Sequence, residues 1–187
     1  FSASSINLDY LKSDEFISHA KSLRGSIMLV GPLLARYNTA SIPRPGGDKI
    51  GRRRLDTHFI NLEKLGAKLN YNSKNRIYNV ETNGLVGADV LLDEASVTGT
   101  ANLIMASVLA KGKTTIYNAA CEPYIQQLCS LLVKMGAKIE GIGSNLLIIS
   151  GVTKLSGANH TILPDMIEIG SWIGLDAMTK SEVRIKN

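Results

Sequence analysis

Cysteine is scarce in this chain: Cys121 and Cys129 are the only two among 187 residues. Two thiols cannot build a disulfide framework, nor can they fill a four-ligand zinc site. Both read as small buried apolar side chains in a reducing compartment, so a cytoplasmic location is expected. Aromatic residues make up 5% of the chain, with a single tryptophan. That leaves little material for base-stacking platforms and argues against single-strand recognition. No apolar run approaches the roughly 20 residues that a membrane-spanning helix needs, so no membrane partner is expected. The opening Phe1-Ser2-Ala3-Ser4-Ser5 has neither the basic start nor the apolar segment of a signal peptide. It also lacks an initiator methionine, which points to a partial chain.

What the chain does carry is positive charge: 21 Lys and Arg against 16 Asp and Glu, a net of +5. A basic chain attracts nucleic acid, an anionic membrane surface or a small anionic substrate. The charge is densest in residues 43–58, Pro-Arg-Pro-Gly-Gly-Asp-Lys-Ile-Gly-Arg-Arg-Arg-Leu-Asp-Thr-His. Two prolines and three glycines exclude a regular helix or central strand at its start. Asp48 stands there among Arg44, Lys49, Arg52, Arg53 and Arg54. A hinged loop with one acid among clustered cations suits a lid closing over an anion. A solvated basic loop is the plain alternative.

An internal repeat organises the rest. Leu62-Glu63-Lys64-Leu65-Gly66-Ala67-Lys68-Leu69 echoes Leu132-Val133-Lys134-Met135-Gly136-Ala137-Lys138-Ile139. Each reads as a helix end, a glycine C-cap and a strand start. Upstream, the apolar helices 25–35 and 99–110 correspond, each followed by a strand, 39–42 and 114–117. Hairpins follow, 67–71 with 76–80 and 137–141 with 145–149. The unit is helix, strand, helix, strand, strand, and a third copy begins near Asp165. Residues 6–10 read as a strand end, and 14–23 as a helix capped by Ser13. Such units need neighbours to cover their apolar faces.

From Pro45 to His58 the order Pro-Gly-Gly-Asp-x-Ile-Gly-x-Arg-x-x-Asp-x-His resembles the catalytic loop of the UDP-N-acetylglucosamine enolpyruvyl transferase family. The likeness extends to Leu23-Arg24-Gly25-Ser26, Gly31-Pro32-Leu33, Ser96-Val97-Thr98-Gly99-Thr100, Asn118-Ala119-Ala120-Cys121-Glu122-Pro123 and Leu163-Pro164-Asp165. It implies a mixed α/β (α+β) fold, an inside-out α/β barrel of the repeated unit, with helices inside and sheets outside. Residues 1–163 would then form most of one lobe, and 164–187 the first piece of a second.

The resemblance implies transfer of the enolpyruvyl group of phosphoenolpyruvate to the 3′-hydroxyl of UDP-N-acetylglucosamine, with release of phosphate. This is the first committed step of peptidoglycan precursor synthesis. Asp48 takes the place of the acid that protonates phosphoenolpyruvate, usually a cysteine, and Arg53 stands near the reacting groups. A carboxylate is not alkylated by an epoxide as a thiolate is, so resistance to fosfomycin is expected. Arg24 is a second cation for phosphate or carboxylate, or simply a charge at a helix C-terminus. Arg53, Arg54, Leu55, Asp56, Thr57 and His58 match the segment that wraps uracil and ribose. Asp56 equally suits a helix N-cap, and His58 equally suits packing on that helix. The family usually has Pro at position 54 and Leu at 57. Glu94, Ala95, Ser96, Val97 and Thr98 match a diphosphate loop at a helix start. Relatives often carry Lys at 94 and Gly at 98. Asp165 and Glu168 border the family's cleft or merely sit at a helix start.

No metal-ligand cluster is visible and no cofactor is implied. The expected partners are the two small substrates and not nucleic acid. Three alternatives stand beside this reading. One is the sister 5-enolpyruvylshikimate-3-phosphate synthase, another a non-catalytic nucleotide-sugar-binding fragment. The third, a nucleic-acid binder, rests only on charge.

Overall fold

A computed structural model describes residues 2–3, 5–47 and 54–186. Six α-helices and seven strands occur among them. In chain order they are α1 (Asp14–Ser22), α2 (Val30–Tyr37), β1 (Thr39–Pro43), α3 (Asp56–Lys64), β2 (Lys68–Asn72) and β3 (Ile77–Glu81). Then come β4 (Asp89–Leu91), α4 (Val97–Ser107), β5 (Lys113–Tyr117), α5 (Pro123–Lys134), β6 (Lys138–Glu140), β7 (Leu146–Ser150) and α6 (Met166–Thr179). The repeat is therefore α2-β1-α3-β2-β3 followed by α4-β5-α5-β6-β7, as its sequence echo predicts.

The two copies end their second helices in the same way. Ala67 N–H donates to Leu62 O, and Ala137 N–H to Leu132 O. The residues between, Gly66 and Gly136, have φ of 90° and 107°. A side chain at such angles is strained, which is why glycine closes both helices. The chain then turns straight into a hairpin, β2–β3 or β6–β7, both antiparallel.

β3 is central in a three-stranded antiparallel sheet ordered β1-β3-β2, where Ala40 and Leu69 flank Val80. The second sheet runs β4-β5-β7-β6, with β4 parallel to β5 and the other pairs antiparallel. Helix α4 lies in the middle of the helical layer, touching α2, α3 and α5. It buries residues 99–104, Ala106 and Ser107. A helix apolar nearly all round belongs in such a place. Leu34, Ile42, Leu62, Leu65, Leu103, Ile104, Ile116, Leu147 and Ile149 form one continuous core with it. Phe59 of α3 stacks on Tyr78 of β3 with ring centroids 4.6 Å apart, tying helix layer to sheet.

Several expectations need correction. Residues 8–12 form a 3-10 helix, Leu8–Lys12, not a strand. Asn7 Oδ1 accepts Asp9 N–H at 3.0 Å and turns the chain there. The single helix expected over 25–35 is a 3-10 stretch, Arg24–Leu29, running into α2. Strand β4 was not foreseen. Cys129 is buried, and burial pushes its thiol up to about 11, but Cys121 is exposed. Ser13 does cap α1, its hydroxyl accepting Phe16 N–H at 3.2 Å. No helix among the described residues is long and apolar enough to cross a membrane. Helix α6 buries none of its residues.

Candidate active site

Helices α3 and α4 begin side by side. A Cβ added to Gly99 would stand 3.3 Å from Thr57 Cγ2, so the two first turns are in close contact. Three polar links join the segments there. Thr57 Oγ1 donates to Glu94 Oε1 at 3.0 Å. Thr98 Oγ1 lies 3.3 Å from His58 Nε2. Arg54 grips Asp56 with Nε and Nη2, at 2.7 to 3.1 Å, and reaches Asp93 Oδ2 at 2.7 Å. The paired carboxylates hold Arg54 firmly protonated, and the guanidinium lowers the Asp56 carboxyl below its usual range. These groups are largely exposed, so the cluster shapes the site more than it stabilises the fold.

The segments brought together are those expected. Arg24 Nη2 donates to Arg54 O at 2.8 Å, which joins the start of the 3-10 stretch Arg24–Leu29 to the start of α3. Arg24 lies one residue past Leu23, the C-cap of α1, and this contact turns its guanidinium to the α3 segment. Leu55, not Asp56, is the N-cap of α3, and no side chain caps that end. The Asp56 carboxylate is turned to Arg54 instead. Leu55, Thr57 and His58 are buried while Arg54 and Asp56 are exposed. At α4, Ser96 is the N-cap: its hydroxyl accepts Gly99 N–H at 3.1 Å and its carbonyl accepts Thr100 N–H. The backbone amides of Val97 and Thr98 make no hydrogen bond among the described residues. Glu94, Ala95 and Thr98 are exposed beside them. Two such amides at a helix start favour a bound anion.

The foot of the expected lid packs on this side of the molecule. A Cβ on Gly46 would collide with the carbonyl oxygen of Lys21, and one on Gly47 would stand 3.1 Å from Arg24 Cβ. Asp48 and Arg53, the expected catalytic pair, lie outside the described residues. Asp165 caps α6, accepting Ile167 N–H at 2.8 Å, and Glu168 sits in that helix's first turn.

His58 is only 3% exposed. It does pack on α3's neighbours, but it also bonds them. Its Nδ1 lies 3.1 Å from Asn102 Nδ2. Burial, with the nearby Arg24 charge adding to it, lowers its pKa from 6.5 to about 4. Asn102 and Asp93 escaped the sequence reading, and Gly31 entered it only within the motif Gly31-Pro32-Leu33, not as a partner of Asn102. Asn102 did leave a signal, as a lone amide in an otherwise apolar helix. Its Oδ1 accepts Gly31 N–H at 2.7 Å, and a Cβ at Gly31 would collide with it.

The sequence model of the EPSP synthase (3-phosphoshikimate 1-carboxyvinyltransferase) family matches residues 10–187. The chain belongs to this family. Among curated relatives, the UDP-N-acetylglucosamine 1-carboxyvinyltransferase of Bacteroides fragilis is 63% identical over 187 residues. The enzyme of that name from Porphyromonas gingivalis is 59% identical. Each alignment covers 100% of this chain and 43% of the relative, so the chain spans less than half their length. The Borreliella burgdorferi protein of the same name is 52% identical over 96% of this chain and 42% of its own. Among solved structures, the enolpyruvyl transferase NikO from Streptomyces tendae superposes with a TM-score of 0.71 at 16% identity. It covers 91% of this chain and 38% of NikO. EPSP synthase from Acinetobacter baumannii reaches 0.56 at 21% identity, over 73% of this chain and 30% of its own. The mixed α/β fold of these family members is the fold described above.

Proposed function

We propose that this chain is part of a UDP-N-acetylglucosamine 1-carboxyvinyltransferase, a cytoplasmic enzyme of peptidoglycan precursor synthesis. The observation that carries the reading is the pairing of the Arg54–His58 and Glu94–Thr98 segments at two adjoining helix starts. It is supported by the identity of up to 63% to enzymes of that name. In the proposed reaction the sugar 3′-hydroxyl adds to C2 of phosphoenolpyruvate as C3 gains a proton. Loss of phosphate and of a C3 proton then restores the double bond in the product. Asp48 is the proposed acid at C3, and Arg53 and Arg24 the cations that hold phosphate and carboxylate. Arg54, Leu55, Asp56, Thr57 and His58 form the proposed wall for uracil and ribose. Glu94, Ala95, Ser96, Val97 and Thr98 line the diphosphate, with the amides of Val97 and Thr98 as donors.

The lobe division follows from the same reading. Residues 1–163 make up most of one inside-out barrel, and 164–187 open a second. The substrates sit at the border of the two, where the loop 43–51 closes over them. The family's name leaves the sister reaction with shikimate 3-phosphate as the rival.

Titration of the full-length protein decides between them. Saturable binding of UDP-N-acetylglucosamine, tighter than that of UDP and absent for shikimate 3-phosphate, is the expected result. Preference for shikimate 3-phosphate would overturn the substrate. Asp48→Asn should lower kcat by 100-fold or more, about the reach of general acid catalysis, while the sugar nucleotide still binds. Turnover left intact in that variant would remove Asp48 from the chemistry.

A further inference from the structure

A chain of hydrogen bonds runs from the interior of the helical layer to the exposed first turn of α4, and its direction follows from the backbone. Asn102 is fully buried. Its Oδ1 accepts the N–H of Gly31 at 2.7 Å, and its Nδ2 donates to the carbonyl of Ile27 at 2.9 Å. A backbone amide only donates and a carbonyl only accepts, so these two contacts fix which end of the side-chain amide is which. The second Nδ2 proton then faces His58 Nδ1 at 3.1 Å. That nitrogen must offer its lone pair, so the ring proton sits on Nε2. Nε2–H in turn donates to Thr98 Oγ1 at 3.3 Å. With its oxygen accepting from below, the Thr98 hydroxyl keeps its own proton for something else. It has no other hydrogen-bond partner among the described residues, and the side chain is exposed. The donor therefore points outward, beside the unpartnered amides of Val97 and Thr98.

We propose that the Thr98 hydroxyl is a third donor to the diphosphate of the sugar nucleotide, and that buried Asn102 and His58 are positioning residues that aim it. The inference rests on the nucleotide-sugar reading above. Its distinct content is a side-chain contact, set by the imidazole tautomer, in a loop otherwise supplying backbone amides. A neutral hydroxyl donating to a phosphate oxygen forms a charge-assisted bond, which only an outward-facing proton can make.

Two experiments test it. In the first, the full-length protein is titrated with UDP-N-acetylglucosamine and with uridine, as wild type, Thr98→Val and Thr98→Ser. Valine keeps the shape of threonine and lacks the hydroxyl. The expected result is about tenfold weaker binding of the sugar nucleotide by Thr98→Val. Thr98→Ser should restore it, and the affinity for uridine should not change. Equal affinity of wild type and Thr98→Val overturns the inference while wild-type binding leaves the substrate reading standing. Equal losses for uridine and the sugar nucleotide overturn the diphosphate contact. A wild type that binds no UDP-N-acetylglucosamine overturns both. The second experiment needs no variant. Nitrogen-15 correlation spectra of the His58 ring should give the Nε2–H tautomer, and a proton on Nδ1 would overturn the relay.

Discussion

At the scale of single residues, His58 makes the clearest prediction. Its folded-state pKa, about 4, lies below the 6.5 of an ordinary imidazole. Burial is the main cause and the Arg24 charge adds to it; a proton on Nδ1 would besides confront the donating amide of Asn102. The neutral ring's contribution to stability is complete above pH 6.5. It is lost as pH falls toward 4, since the unfolded chain takes up a proton that the folded one refuses. The full effect is worth about 3 kcal/mol. Urea unfolding between pH 7 and 4.5 should show this decline, and His58→Gln should flatten the part of the slope in that window. An unchanged slope would remove His58 as its source. His58 and Thr98 were legible in the sequence because they sit inside ordered motifs. Asn102 showed there only as a lone amide, and its role was not legible, because it comes from Ile27 and Gly31, more than 70 positions away in the chain. Spacing along one helix carries no trace of such a contact.

At the scale of elements, the repeat was legible because its signals are local. A glycine after an amphipathic helix and alternation in the hairpins are written in consecutive residues. Beyond Gly66 and Gly136 there is open space, with nothing within 4 Å of an added Cβ. Gly66→Ala and Gly136→Ala should therefore each cost about 1 kcal/mol through backbone strain alone. Thermal unfolding of the two variants should give similar losses. A much larger loss in one copy would mean that its turn does more than end a helix. Two elements escaped for opposite reasons. Ile6-Asn7-Leu8-Asp9-Tyr10 alternates like a strand, but the Asn7 side chain bends it into a 3-10 helix. β4 has three residues with Val90 alone buried, too few for any period to register.

At the scale of the whole molecule, α4 is both the centre of the packing and an edge of the candidate site, while α6 is neither. Met166, Ile167, Trp172, Ile173, Leu175 and Met178 of α6 are all exposed. Helix α6 leaves the core untouched, so deleting residues 164–187 should shift the melting temperature of the remainder by no more than about 2 °C. A loss much beyond that would tie α6 to the first body and contradict the proposed lobe boundary at 163. The proposed boundary is drawn from the repeat and from Leu163-Pro164-Asp165, and Asp165 caps α6.

On the proposed reading α4 serves the core with its body and the ligand with its first turn, so occupancy and folding are linked in one element. A ligand that holds the start of α4 also holds the helix against which α2, α3 and α5 rest. At a hundredfold excess over Kd such a ligand adds about 2.7 kcal/mol to folding. Read in reverse, a substitution deep in the helical layer, at Gly31 or Asn102, is also felt as a change in affinity at a surface it never touches.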